Sequence, residues 1–151
     1  MRYWLMKSEP DVYSIDHLAR DKSTHWNGVR NYQARNFMRD QMQIGDKVLF
    51  YHSNCEEPAI VGIAEVSKLA YPDPSQFDRK SKYYDDKSTH ENPRWLNVDI
   101  RFMKKIRPVT LAAMRDHKPL ETMRILQRGN RLSITPVDPK EWKEVMAMAD
   151  E

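Results

Sequence analysis

Cysteine is almost absent from this sequence. Its one thiol, Cys55, has no partner for an intrachain disulfide, and such a chain is expected in a reducing compartment, here the cytoplasm. One cysteine and five histidines are a thin supply for a structural zinc site, which needs four convergent ligands, so no metal is expected. Glycine is scarce too, with four in 151 residues. No glycine pair precedes Lys-Ser or Lys-Thr at the spacing of a phosphate-cradling loop. Long apolar runs are missing: none reaches the ~20 residues of a bilayer-crossing helix. Lys7 and Glu9 interrupt the stretch Tyr3 to Met6, so no secretory leader and no membrane partner are expected. Strong charge of one sign is lacking as well. With 25 basic and 22 acidic side chains the net charge is +3, too mild to coat DNA by charge alone, though it permits a local basic patch.

What is present fits one globular domain over residues 1–151, with 40% apolar and 31% charged residues and no repeat or low-complexity tract. Tyr3 to Lys7 reads as a short strand, and Ser14 caps a helix through Arg20. Ala34, Phe37, Met38 and Met42 recur at helical spacing over 32–42. Gly45-Asp46 turns into a strand over 47–53, and a loop at 54–58 leads to a second strand from Ala59 to about Lys68, the pair forming a hairpin. Gly62 inside that strand marks a bulge or a close neighbour. Residues 71–93 form a long polar loop carrying Tyr71, Phe77, Tyr83 and Tyr84, a composition more often functional than idle. Leu96, Val98, Ile100 and Phe102 then alternate with polar residues as a strand buried on one face. Short helices are expected over 110–116 and 120–126, and a strand over 131–137. Asp138, Pro139 and Glu141 supply the start of a last helix, striped by Trp142, Val145, Met146 and Ala149. Five or six mostly antiparallel strands among short helices point to an α+β barrel.

Catalytic patterns are missing. His52 and Cys55 lie near each other in sequence, but no third residue orients them as base and nucleophile, and no histidine-glutamate pair has metalloprotease spacing. Neither an enzyme nor a cofactor is expected. What remains suits binding. Trp26 stands in a loop before Asn27-Gly28, and Trp95 at the entrance of the alternating strand. Either alone is more often a packing residue. Together with Lys7, Ser8, His52, Ser53, Asn54 and Asp99 they supply flat walls and polar groups for a planar heterocycle. Arg30, Arg35, Arg39, Arg128 and Arg131 are candidates for a nucleic-acid backbone, solvated ion pairs being the equally ordinary reading of each.

Several blocks, taken in order, resemble the EVE domain: YWLMKSEP from Tyr3, WNGVRNYQARNFMRD from Trp26, GDKVLFYHSN from Gly45, YPDPSQFD from Tyr71, PRWLNVDIRF from Pro93 and QRGNRLSITPV from Gln127. They span nearly the whole chain. This family belongs to the PUA-like superfamily and is similar in fold to the YTH readers of methylated adenine. The resemblance implies a twisted, largely antiparallel barrel of about five to six strands flanked by helices. It also implies a pocket for a base turned out of its strand, some members favouring modified cytosines in DNA. By position it carries Lys7 and Ser8 to the strand-end pair beside the pocket, Trp26 and Asn27 to the first cage aromatic and its polar successor, and His52, Ser53 and Asn54 to the floor. Trp95 falls near the second cage aromatic. Arg128 matches a backbone-contacting arginine. Gly129 stands where YTH readers carry an acidic base-reading residue, so adenine specificity is not implied.

The expected function is therefore a non-catalytic module binding nucleic acid, with DNA favoured and RNA the other choice, that accommodates a flipped and modified base, a modified cytosine above all. Unstacking a base costs a few kcal/mol and aromatic stacking returns ~1–3 kcal/mol. Net affinity must then come from hydrogen bonds and arginine–phosphate contacts. Two alternatives stand beside it: a small hydrolase of modified nucleosides, using Lys7 with Asp99 or Glu65 as acid and base, and a protein-interaction module built on the 71–93 loop.

Overall fold

Alternation along the central strands divides the interior into two apolar layers. On β1 (Tyr3–Ser8) and β3 (Lys47–His52), Trp4, Met6, Val48 and Phe50 point to one side of the sheet, and Leu5, Leu49 and Tyr51 to the other. The computed structural model describes residues 1–150. Its other strands are β2 (Ser23–His25), β4 (Ala59–Pro72), β5 (Leu96–Thr110) and β6 (Ile134–Val137). They form one six-stranded sheet in the order β2-β5-β4-β3-β1-β6, antiparallel except for β1 beside β3.

The first layer holds Trp4, Met6, Val48, Phe50, Ala64, Val66, Val98 and Ile100 beneath α1 (Ile15–Asp21) and the segment from Val29 to Met42. The second holds Leu5, Leu49, Ile63 and Val109 beneath α3 (Leu111–Arg115), α4 (Pro139–Ala149) and the residues between them. No hydrogen bonds join β2 to β6, so the sheet is open. The expected α+β arrangement of five or six mostly antiparallel strands flanked by short helices is present, but the barrel is not closed, and its edge strands are three and four residues long. Five sets of ladder bonds join the six strands, and no sixth closes them.

Local chemistry explains most boundaries. Ser14 accepts from the His17 N–H while the His17 ring accepts from the Ser14 N–H, closing the start of α1. Asp138 and Glu141 do the same for α4, with Pro139 at its first position, a device worth about 1 kcal/mol. The expected helix over 32–42 is present in two parts: α2 (Tyr32–Asn36), then a π turn over Phe37–Gln41. The wider turn brings Met42 into the core with Ala34 and Met38 and leaves Gln41 outside. Gly62 tolerates no side chain, because a Cβ there would stand 2.7 Å from Ile15 Cγ1. Residues 120–126, expected as a helix, hold a single 3₁₀ turn at Arg124–Leu126, with another, Lys118–Leu120, ending where they begin.

The 71–93 loop is tightly organised around one buried amide. Gln76 donates to the carbonyls of Asp73 and Trp95, both at 2.7 Å, and accepts from the Trp95 N–H at 3.0 Å and the Ser88 hydroxyl. Phe77 stacks on His90 with ring centres 3.9 Å apart.

Candidate nucleic-acid interface

The partly buried residues Tyr13, Trp26 and Leu132 pack against the first apolar layer. Trp26 follows β2, and its backbone N–H donates to the Val98 carbonyl at 2.7 Å. Its indole stands edge-on to Phe50, centres 5.7 Å apart and planes at 90°. Phe50 in turn meets the edge of His52 at 5.8 Å. Ser8 pairs with His52 across β1 and β3. Trp26, Phe50, His52 and Ser8 thus share one face near the ends of those strands.

Polar groups at this rim are partly committed. His52 Nε2 accepts from the Ile15 N–H at 3.1 Å, which fixes a neutral ring with its proton on Nδ1 and leaves one donor over. Burial lowers the His52 pKa, a nearby Lys105 lowers it further and Asp16 opposes them. The Ser8 hydroxyl donates to the Tyr13 carbonyl, leaving its lone pairs. Ser53 donates its N–H to the Ser8 carbonyl at 3.0 Å, and Asn54, at φ 52°, binds Glu9 with its amide. Asn27 is exposed.

The other expected pocket residues lie elsewhere. Lys7 pairs with Tyr51 and alternates onto the second face, away from Trp26. Asp99 is placed likewise: it pairs with His25 and accepts the Tyr71 hydroxyl, on the side of β5 opposite Val98 and Ile100. Trp95 is only 6% exposed, stacks on Tyr32 at 4.8 Å and donates its indole N–H to Asp85 at 2.8 Å. It belongs to an aromatic–cation column in which Arg30 lies over both Trp95 and Tyr83, and Arg35 over Tyr32.

The five arginines divide in the same way. Arg30 is held inside: it binds Asp73 at 3.1 Å, the Ser75 hydroxyl and the Tyr83 carbonyl. Asp73 is fully buried and also accepts from the Gly28 N–H at 2.7 Å and from Ser75. Burial pushes its carboxyl up, but the Ser75, Gly28 and Arg30 bonds outweigh that and leave its pKa below the usual aspartate value. Arg35 donates to the Arg94 carbonyl, and Arg39 pairs with its exposed neighbour Asp40. Arg128 and Arg131 are exposed and make no ion pair among the described residues.

Phe50, Asp73 and Gln76 were not singled out in the sequence. Asp73 before Pro74 had a readable cue, since an aspartate there caps a turn. Nothing local marked Gln76, or Phe50 as the platform under Trp26.

An open, mostly antiparallel sheet with short helices on both faces and a partly buried indole packed at its rim defines the class: a small α+β domain. The sequence model of the EVE domain matches residues 2–148, and the chain belongs to that family. It is 42% identical to Thymocyte nuclear protein 1 of Gallus gallus, over 99% of this chain and 69% of that protein. It is 40% identical to the Homo sapiens protein of the same name, over 98% of this chain and 74% of that one. Among solved structures, the human THYN1 protein in complex with 5-methylcytosine-containing DNA superposes with a TM-score of 0.94 at 40% identity, covering 100% of this chain and 99% of that one. A Pseudomonas syringae protein does so with a TM-score of 0.94 at 45% identity, covering 97% and 99%. Among the described residues, no helix is long and apolar enough to cross a membrane.

Proposed function

We propose that this chain binds DNA and holds one base, a modified cytosine, turned out of its strand against Trp26. Support comes from the human THYN1 protein, whose matching backbone was solved with 5-methylcytosine-containing DNA. In this chain the placement of Trp26 carries the reading. Its indole packs edge-on to Phe50 against the first apolar layer, on a backbone held by the Val98 carbonyl, before any ligand arrives, so stacking a base loses little side-chain entropy. Ser8 Oγ, the spare N–H of His52 and the Asn27 amide are the polar groups within the same rim.

No reaction is part of the proposal. In the sheet order β3 and β4 separate β1 from β5, and Lys7 stands level, through Tyr51 and Ile60, with Val109 and not with Asp99, which lies far along β5 opposite Lys68. Glu65 is taken by Lys47 and Arg101. Cys55 lies against the His52 carbonyl, not its ring. The acid–base and nucleophile pairs a hydrolase needs are not assembled.

The test is binding to duplexes identical but for one 5-methylcytosine, with a fluorescent base analogue opposite it. The reading expects tighter binding of the methylated duplex and a rise in fluorescence as the opposing base loses its partner. Equal affinities with no fluorescence change would overturn it. Turnover of the modified strand, seen as a mass change, would restore the hydrolase.

A further inference from the structure

The second face of the sheet ends in cations without counter-ions. Lys7 and Tyr51 share that face at the ends of β1 and β3. The Lys7 ammonium is half-buried and finds no acceptor among the described residues, and its burial lowers its pKa. The Tyr51 ring is buried in the second apolar layer, against which Leu126 also packs; burial raises its pKa, Cys55 adds to that and Arg115 opposes both. Arg115, at the end of α3, lines an open cleft together with Glu121, Leu126 and Arg128. Neither Arg115 nor Arg128 makes a hydrogen bond or ion pair from its guanidinium among the described residues, whereas Arg20, Arg30, Arg39 and Arg101 all do.

The chain joins this cleft to the rim of Trp26. Leu126 packs against the second apolar layer and Leu132 against the first. Residues 127–131 therefore wrap the end of the sheet from one face to the other, carrying Arg128 and Arg131. Just beyond, the Ser133 carbonyl accepts the Lys7 N–H at 2.9 Å.

A partly desolvated ammonium with no partner is costly to keep, and becomes favourable when an anion arrives. The two guanidiniums of the cleft, on the same side of the sheet, can each grip a phosphate through two N–H groups. We propose that Lys7, Tyr51, Arg115 and Arg128 form a phosphate cradle, which holds the strand flanking the base at Trp26 as its backbone rounds the sheet end. The inference rests on the DNA-binding reading above. It adds Arg115 and Tyr51, and moves Lys7 from the base to the backbone. Glu121 is the one acid in the cleft, and its charge weakens the cradle.

The test uses plain and 5-methylcytosine duplexes titrated from low to high salt. Arg115→Gln should lower affinity for both alike and reduce the slope of log K against log salt by about 0.9, one phosphate contact. Glu121→Gln should tighten both. Arg107→Gln removes the same charge from β5, where Arg107 lines a different cleft, and should leave the slope as it is. If Arg115→Gln behaves like Arg107→Gln, the cradle is overturned even if methylated DNA is still preferred. If Arg115→Gln flattens the slope while methylation makes no difference, the cradle stands and the base reading fails. A circular dichroism melt of each variant verifies folding, and Lys7→Met, which keeps the apolar stem, gives a second reading of the slope.

Discussion

The phenol of Tyr83 lies across Gly28 so closely that a Cβ at Gly28 would stand 2.7 Å from its ring, and Gly28 itself sits at φ +80°. Both constraints exclude any other residue. Two positions upstream is Trp26, and the Gly28 N–H is anchored by Asp73. The backbone carrying the indole is therefore set by a loop some 45 residues later in the chain.

Gly28→Ala should cost stability through the left-handed backbone and through overpacking, each about 1–3 kcal/mol. Because Tyr83 must move, the variant should also bind modified DNA less tightly than its residual folded fraction explains. Urea denaturation and binding, both on the same preparation, check this. Tyr83→Ala in the Gly28→Ala background should recover part of the lost stability, since it removes the clash but not the strain.

Trp26→Ala should weaken binding of a modified strand by ~1–3 kcal/mol, about 5- to 150-fold. Trp26→Phe should retain most of it. The ring is only partly buried, so both variants should stay folded by near-UV circular dichroism. Unchanged affinity in Trp26→Ala would remove the indole from the base site.

Much of the fold was legible because its causes are local. The caps of α1 and α4, the turn at Gly45 and the alternation of Leu96, Val98, Ile100 and Phe102 each rest on a few neighbouring residues. The parallel pairing of β1 with β3 was not legible: 38 residues, carrying α1, β2 and α2, separate Ser8 from Lys47, and nothing in either strand specifies direction. The three residues of β2 were too few for a pattern. At the site the limit was the same. Sequence spacing grouped Lys7 with Ser8, but a strand sends neighbours to opposite faces, so only Ser8 shares a face with Trp26. Arg30 looked like a free cation because its partner, Asp73, lies 43 residues away.

Asp73 is the residue on which the 26–30 segment depends. Asp73→Ala would leave the Arg30 guanidinium, only 22% exposed in its side chain, without its carboxylate, and breaking such a buried pair costs about 3–5 kcal/mol. The folded-state pKa of Asp73 is depressed, so its contribution is complete above the ordinary aspartate value of about 3.9 and is lost as the pH falls through the lower folded value. The wild type should thus lose stability in that acid range more steeply than Asp73→Asn. Arg30→Lys should destabilise without altering the salt slope of DNA binding, because Arg30 faces Asp73 and Tyr83 and not a phosphate.

His52 titrates with the opposite charge and the same sign of pH dependence. Its Nε2 must stay unprotonated to accept the Ile15 N–H at 3.1 Å, and its folded pKa lies below the ordinary value. The unfolded chain therefore takes up this proton first as the pH drops below about 6.5. The stability it confers is full above that point and declines as the pH falls through the folded value. His52→Gln keeps a carbonyl acceptor but cannot titrate. Between pH 7.5 and pH 5, denaturant midpoints should fall further for the wild type than for His52→Gln, with faster amide exchange at Ile15 accompanying the fall. Parallel midpoints across that range would show that His52 protonates without breaking its bond to α1.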